Sequence, residues 1–240
     1  MRKVPSKVTR ANMVLPVLLC NLLSRRNWLA AALVTLLLAP TIANAIEPLR
    51  IVVFGDSLVA GYRLPPSDAF PAQLERALKA RGHAVEVINA GVSGDTTAAG
   101  LARVRWSVPE NTNAVILELG GNDALRGLDP AQARANLDKI ITTLKAGGSE
   151  VLLAGMMAPR NLGPDYVRKF DAIYADLARK YDLVFYPFFL DGIAMDAKLN
   201  LDDGMHPNAR GIAEITARIL PTVEQLIERV RAKRPTAPKG

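Results

Sequence analysis

The sequence predicts a single α/β domain, a three-layer α/β/α sandwich on a five-stranded parallel sheet of the flavodoxin-like kind. Three observations predict it. Five short β-rich runs are almost continuously apolar, as strands covered on both faces must be. Segments with helical periodicity and readable ends separate those runs. Strand and helix alternate, which implies parallel strands joined by right-handed crossovers. The chain of 240 residues is long enough for one ordinary domain with a substantial core.

Residues 1–45, before the first strand, read as an export signal. A basic stretch ends at Arg25 and Arg26, the apolar run "WLAAALVTLLLAP" follows, and Ala43 and Ala45 stand in an A-x-A spacing. Cleavage is expected after Ala45. The alternative is an uncleaved N-terminal anchor, although a spanning helix needs about 20 apolar residues. "SRRNWLA" is similar to a twin-arginine signal, with Trp28 in the usual Phe place. The single cysteine, Cys20, lies in this leader behind Leu19, where a lipoprotein signal would want a small residue. The mature chain therefore has no thiol and no disulfide, which suits a periplasmic or secreted protein that needs no covalent staple.

The body follows in order. "LRIVVF" (49–54) is the first strand, and a short helix begins near Leu58. Asp68 is placed to cap the helix through "FPAQLERALKARG", which stops at Gly82. "AVEVIN" (84–89) and "AVILEL" (114–119) are the second and third strands. Asp129 and Pro130 open "AQARANLDKIITTLKAGG", which Gly147 and Gly148 end, and "EVLLAG" (150–155) is the fourth strand. Pro164 opens a helix reaching Tyr181, and "LVFYPF" (183–188) is the fifth strand. Pro207 starts a final helix that Pro221 must bend or divide. The domain is bounded at 46–228, leaving 229–240 as a basic flexible tail.

The net charge of +7 does not imply a nucleic-acid partner. The leader holds six of the 30 basic residues and no acid, leaving 24 against 23 acidic residues. Five of those 24 (Arg229, Arg231, Lys233, Arg234 and Lys239) lie in the tail, so the body is close to neutral.

In such a sheet, functional groups gather at the carboxyl ends of the strands. The loops expected there are "GDSLVAG", "AGVSGDT", "GGNDALRG" and the stretch ending "LDDGMHP". A serine hydroxyl attacks a carbonyl only if a base takes its proton, a third group orients the base, and donors await the oxyanion. The mature chain has two histidines. His83, after the helix-stopping Gly82, belongs to the far edge and reads as a surface turn residue. His206 has Asp203 three residues before it across a glycine, an offset that lets the carboxylate reach one imidazole nitrogen while the other faces outward. The alternative is a helix start whose preceding polar residues cap it. Ser57 is likewise a nucleophile or an N-cap, roles that are compatible. Its own N–H, at a helix start, is one oxyanion donor. Gly94, lacking a Cβ, can bring a second N–H close, and Asn122 offers a side-chain amide. For both loops the alternative is an ordinary Gly/Asn/Asp turn. With two histidines and no mature cysteine, no metal site and no cofactor are expected.

In this order and spacing, "GDSL", "SGDT", "GGND" and "DGMHP" resemble the four blocks of the GDSL or SGNH hydrolase family. "FGDSLVAGYRLP", "VINAGVSGDTTAAGLARV" and "LELGGNDALRGLDP" are similar to its bacterial arylesterase and thioesterase I/lysophospholipase L1 branch. The resemblance spans nearly all of residues 49–225. It implies Ser57 as nucleophile, an oxyanion hole from the Ser57 N–H, the Gly94 N–H and the Asn122 amide, and His206 as general base. It makes Asp203, not its neighbour Asp202, the orienting acid, and leaves Asp56 to support the turn. The α/β-hydrolase elbow G-x-S-x-G is not matched, since Val59 stands at its last position. The resemblance also places "ALRGLDP" and "MMAPRNLGPDY" along an acyl groove, with Leu125, Met156, Met157 and Pro159 against the substrate. The alternative for the two methionines is packing on the sheet edge.

The expected protein is a cofactor-independent serine hydrolase that cleaves carboxylic esters and thioesters of short to medium acyl chains through an acyl-enzyme. Alternatives are a lysophospholipase acting on membrane lipids and, from another class, a non-catalytic ligand-binding module on the same fold. The expected partner is a small-molecule ester or thioester, with membrane contact only through an uncleaved leader or a lipid substrate.

Overall fold

A computed structural model describes residues 47–233. The export signal, its cleavage point, the twin-arginine-like stretch and residues 234–240 of the tail lie outside the described residues.

The sheet is five-stranded and parallel: β1 (Leu49–Gly55), β2 (Val85–Gly91), β3 (Ala114–Glu118), β4 (Glu150–Ala154) and β5 (Val184–Tyr186), in the order β2-β1-β3-β4-β5. β1 and β3 lie in the interior of the sheet, so Ile51 through Phe54 and Val115 through Leu117 are fully buried. Burying side chains of this size contributes about 1.5–3 kcal/mol each. β2 is an edge strand and departs from the expected apolar run, with Glu86 and Asn89 exposed. β5 has only three residues because Pro187, which lacks an N–H, follows it.

Seven α-helices accompany the sheet among the described residues: α1 (Ser57–Ala60), α2 (Phe70–Ala80), α3 (Thr97–Ser107), α4 (Gly121–Leu125), α5 (Pro130–Ala146), α6 (Pro164–Tyr181) and α7 (Ala209–Lys233). α2 packs beside α7 on one face, while α3, α5 and α6 pack in series on the other. This is the outcome of right-handed crossovers that run from β1 to one side of the sheet and then back to the other. Asp129 caps α5 through the Ala131 N–H, with Pro130 in its first turn, and α6 spans Pro164 to Tyr181 as the sequence indicates.

Several expectations are corrected. Asp68 lies in a short 3-10 turn (Pro66–Asp68), and α2 starts after Ala69 with no side-chain cap. α7 begins at Ala209, capped by Asn208, whose Oδ1 accepts from the N–H groups of Arg210 and Gly211. Of the two outcomes expected at Pro221, bending or division, division does not occur, since α7 continues to Lys233. Residues 229–233 of the expected tail are therefore helical, with Val230 buried, Arg229 paired to Asp182 and Lys233 to Glu150. Among the described residues no helix is long and apolar enough to cross a membrane.

Candidate active site

Because the sheet is parallel, the carboxyl ends of all five strands open on one edge. β1 delivers Ser57 there, β2 the loop of Gly94, β3 Asn122 and β4 Met156. The loop carrying Asp203 and His206 arrives after β5 and is closed by its backbone. Asn200 and Pro207 bridge, Leu201 N–H donates to His206 O at 2.7 Å, and Gly204 N–H donates to Leu201 O at 2.9 Å. Buried Asn200 ties it down through Ile193 O (2.7 Å) and Asp196 O (2.8 Å), and Asn208 through Lys198 O (3.0 Å).

The structure brings Ser57, His206 and Asp203 into one chain of hydrogen bonds. His206 Nε2 lies 2.9 Å from Ser57 Oγ, and His206 Nδ1 lies 2.8 Å from Asp203 Oδ2. The other Asp203 oxygen accepts the backbone N–H groups of Met205 (2.9 Å) and His206 (3.0 Å). Those two N–H bonds, with the imidazole beside them, hold the Asp203 carboxyl down to about 2. The Tyr62 ring lies against His206, with centroids 4.4 Å apart. Asp202 takes no part in this chain, and His83 stands elsewhere, between Glu224 (3.2 Å) and Arg231 (3.2 Å).

Asp56, rather than Ser57, caps α1. Its Oδ1 accepts the Leu58 N–H at 3.0 Å, which leaves the Ser57 hydroxyl to the imidazole. Asp56 Oδ2 accepts from Asn122 Nδ2 at 3.0 Å, and the second Asn122 amide hydrogen goes to Asp95 O, also at 3.0 Å. Burial pushes the Asp56 carboxyl up to about 6 despite these donors. Behind it, Glu118 is fully buried with Oε2 3.5 Å from the Asp56 N–H and Oε1 unpartnered. Burial and the neighbouring Asp56 charge raise the Glu118 carboxyl well above its ordinary range.

Among the described residues, the backbone N–H groups of Ser57 and Gly94 have no acceptor within the protein. Gly94 has φ +87, a left-handed conformation that side chains rarely adopt, and its carbonyl accepts from Arg126 at 3.0 Å. The next residue, Asp95, ties this loop to Asn122, whose amide donates to Asp95 O at 3.0 Å. Gly120 opens α4 at φ +120, where an added Cβ would lie 2.1 Å from the buried Tyr174 hydroxyl. That hydroxyl donates to Leu119 O at 2.9 Å and so fixes the turn that delivers Asn122.

Ser57 and His206 open onto a groove of about 710 Å³. Leu125, Met156, Met157 and Pro159 all line it, joined by Met195 and Met205. Met156 also packs in the core, whereas Leu125, Met157, Met195 and Met205 are exposed, Met195 by 93%. A second cavity, about 530 Å³, opens beside Glu86, Glu110 and Glu150, and neither Ser57 nor His206 lines it. Sequence reasoning missed Tyr62, Arg103, Glu118, Asn200, Met195 and Met205. A lone acid within the apolar run "AVILEL" was a readable signal for Glu118, and Met205 stands inside "DGMHP" itself; Tyr62, against His206, and Arg103, bonded to Gly55 O, act through distant pairings that no local pattern reveals.

Chemically, this is a hydroxyl whose proton can pass to an oriented imidazole, beside free backbone donors and an apolar groove. Residues 53–214 match the GDSL-like lipase/acylhydrolase family. The chain is 37% identical over 178 residues to Esterase TesA of Pseudomonas aeruginosa, a match covering 74% of this chain and 89% of that protein. It is 40% identical over 159 residues to thioesterase 1/protease 1/lysophospholipase L1 of Escherichia coli K12, covering 66% of this chain and 75% of that protein. The SGNH-hydrolase family esterase AlinE4 superposes with a TM-score of 0.63 at 48% identity, over 75% of this chain and 96% of its own. With Ser57, Asp203 and His206 all inside the matched segment, the chain belongs to the GDSL-like lipase/acylhydrolase family.

Proposed function

We propose that the protein is a serine esterase that also accepts thioesters, working through an acyl-enzyme on Ser57. The observation that carries this is the unbroken Ser57–His206–Asp203 hydrogen-bond chain at the mouth of an apolar groove. His206 Nε2 takes the Ser57 proton as Oγ attacks the ester carbonyl carbon. The carbonyl oxygen becomes an oxyanion, received by the Ser57 and Gly94 N–H groups and by the Asn122 amide. Because both Asn122 hydrogens are already engaged, this third donor acts by sharing or exchanging its bond to Asp56 or Asp95. Collapse expels the alcohol or thiol, protonated by His206, and water activated by the same imidazole then releases the acid. Asp203 stays anionic and stabilises the imidazolium formed in each half.

The identities of the relatives support this reading, since Esterase TesA and thioesterase 1 carry ester and thioester chemistry in their names. Leu125, Met156, Met157 and Pro159 are assigned to the acyl side of the groove, where unbranched thioether chains adapt to apolar ligands. A lysophospholipase activity is the second reading, favoured by the exposed Leu125, Met157, Met195 and Met205 around the mouth. The leader further leads us to propose export to the periplasm, which cell fractionation checks.

A panel of p-nitrophenyl esters and acyl thioesters, run beside Ser57→Ala, tests the activity. The expected outcome is turnover by the parent protein and a loss of about 10³-fold or more in the variant. Equal turnover by the two would defeat the assignment, and no turnover by either would favour a binding module. Fatty-acid release from a lysophospholipid decides the second reading.

A further inference from the structure

Helix α3 (Thr97–Ser107) carries Arg103, which is only 6% exposed and whose guanidinium bonds residues at the ends of β1 and β2 and in the loop after β2. Its Nε donates to Asp95 Oδ2 at 2.6 Å. Nη1 donates to Ala90 O at 2.9 Å, near the end of β2, and to Ser107 Oγ at 3.2 Å. Nη2 donates to Gly55 O at 2.8 Å, the last carbonyl of β1 and two residues before Ser57. The guanidinium carbon also lies 4.0 Å from the centre of the Phe54 ring.

Asp95 is the residue after Gly94, and its carbonyl accepts one of the Asn122 amide hydrogens. One buried cation thus connects the end of β1, the end of β2 and the loop that presents Gly94, and through Asp95 it reaches Asn122. A buried ion pair is weak support for stability, because apolar side chains of similar volume often do as well. What apolar packing cannot do is fix two strand-end carbonyls and the Asp95 carboxylate at hydrogen-bond distance in directions set by a rigid planar fork. Oxyanion stabilisation depends on that kind of fixed spacing, since its donors must already stand where charge develops.

We infer that Arg103, with Asp95, is a positioning residue that sets the separation between the Ser57 N–H and the Gly94 N–H and keeps the Asn122 amide beside them. It touches no reacting atom. The inference rests on the serine-esterase reading above and deepens it.

The test compares Arg103→Lys, Arg103→Met and Asp95→Asn with the full-length parent on a p-nitrophenyl ester. An organophosphonate titrates the fraction of active sites, so that kcat is expressed per titrated serine and misfolded protein drops out. Arg103→Lys keeps the charge but loses the fork, and it remains informative if Arg103→Met fails to fold. The expected result is kcat per titrated serine lowered about 10- to 100-fold, with KM within about 2-fold, because the donors act on the transition state. Arg103→Met combined with Asp95→Asn is expected to lose little beyond the worse single variant. Arg103→Lys and Asp95→Asn that both keep kcat per titrated serine within about 2-fold of the parent overturn the inference while leaving the esterase reading intact. Failure of that reading would show differently, as activity surviving Ser57→Ala.

Discussion

Three carboxyl groups within reach of Ser57 sit in three different surroundings, and their charges follow. Two backbone N–H groups hold Asp203 down to about 2, so it is anionic across any pH at which the protein works. Because its folded value is lowered, its contribution to stability is present above the ordinary 3.8 and is lost only as pH falls through about 2. Any fall in kcat/KM on the acid side is therefore expected to come from groups other than Asp203. In the proposed mechanism Asp203→Asn removes the charge that would stabilise the imidazolium, and kcat is expected to drop about 10³-fold or more with the fold intact, as circular dichroism would check. Glu118 and Asp56 carry the opposite sign. Burial raises both, so their contribution to stability is present below their ordinary values and is lost as pH rises through the raised ones, about 6 for Asp56 and well above the ordinary carboxylate range for Glu118. Glu118→Gln keeps the shape of a neutral acid, and the thermal midpoint of this variant is expected to fall less than the parent's between pH 5 and 9. Identical slopes for the two proteins would mean that Glu118 does not carry this titration.

At the scale of elements, the short helix α1 (Ser57–Ala60) shows how one substitution of roles frees a hydroxyl for the imidazole: Asp56 takes the cap and Ser57 keeps its Oγ for His206. Strands β1, β3 and β4 were legible because buried parallel strands write themselves as apolar runs, and α5 and α6 because proline opens each of them. Helix α3 was not legible. Its buried residues are Thr97, Gly100, Arg103 and Val104, so the inward face carries polar and small groups and no apolar stripe betrays it. Asp123 secures its start by accepting from the Thr97 N–H (2.8 Å) and hydroxyl (2.6 Å), a contact between chain segments that propensity does not register. At Pro221 the sequence left a bent helix and a divided one both open, and packing of Ile219, Leu220 and Val223, which outweighs the lost N–H, keeps α7 undivided. Pro221 itself is exposed. Pro221→Ala restores a donor for the helix and is expected to stabilise the protein by about 1–2 kcal/mol, partly offset by the more flexible unfolded chain. Calorimetry should register this as a rise of about 2–8 °C in Tm. An unchanged or lower Tm would show that the helix has already absorbed the proline without cost.

Over the whole molecule, the sheet order and its parallel sense draw together residues 149 positions apart, Ser57 and His206, at one edge. The components of the site were readable singly, since "GDSL", "SGDT", "GGND" and "DGMHP" each end a strand or precede a helix. What holds them was not, because Arg103, Tyr62 and Asn200 act through contacts that exist only after the chain has folded. The exposed methionines and leucine at the groove mouth are likewise a property of the assembled surface. The central claim is that this edge gathers one activated hydroxyl with the donors that receive an oxyanion. It is tested most directly by labelling the protein with an organophosphonate and determining the structure of the adduct. A single adduct is expected on Ser57 Oγ, its phosphoryl oxygen within hydrogen-bond distance of the Ser57 and Gly94 N–H groups and facing Asn122. Modification of another residue, or a Ser57 adduct whose phosphoryl oxygen points away from those donors, would contradict it.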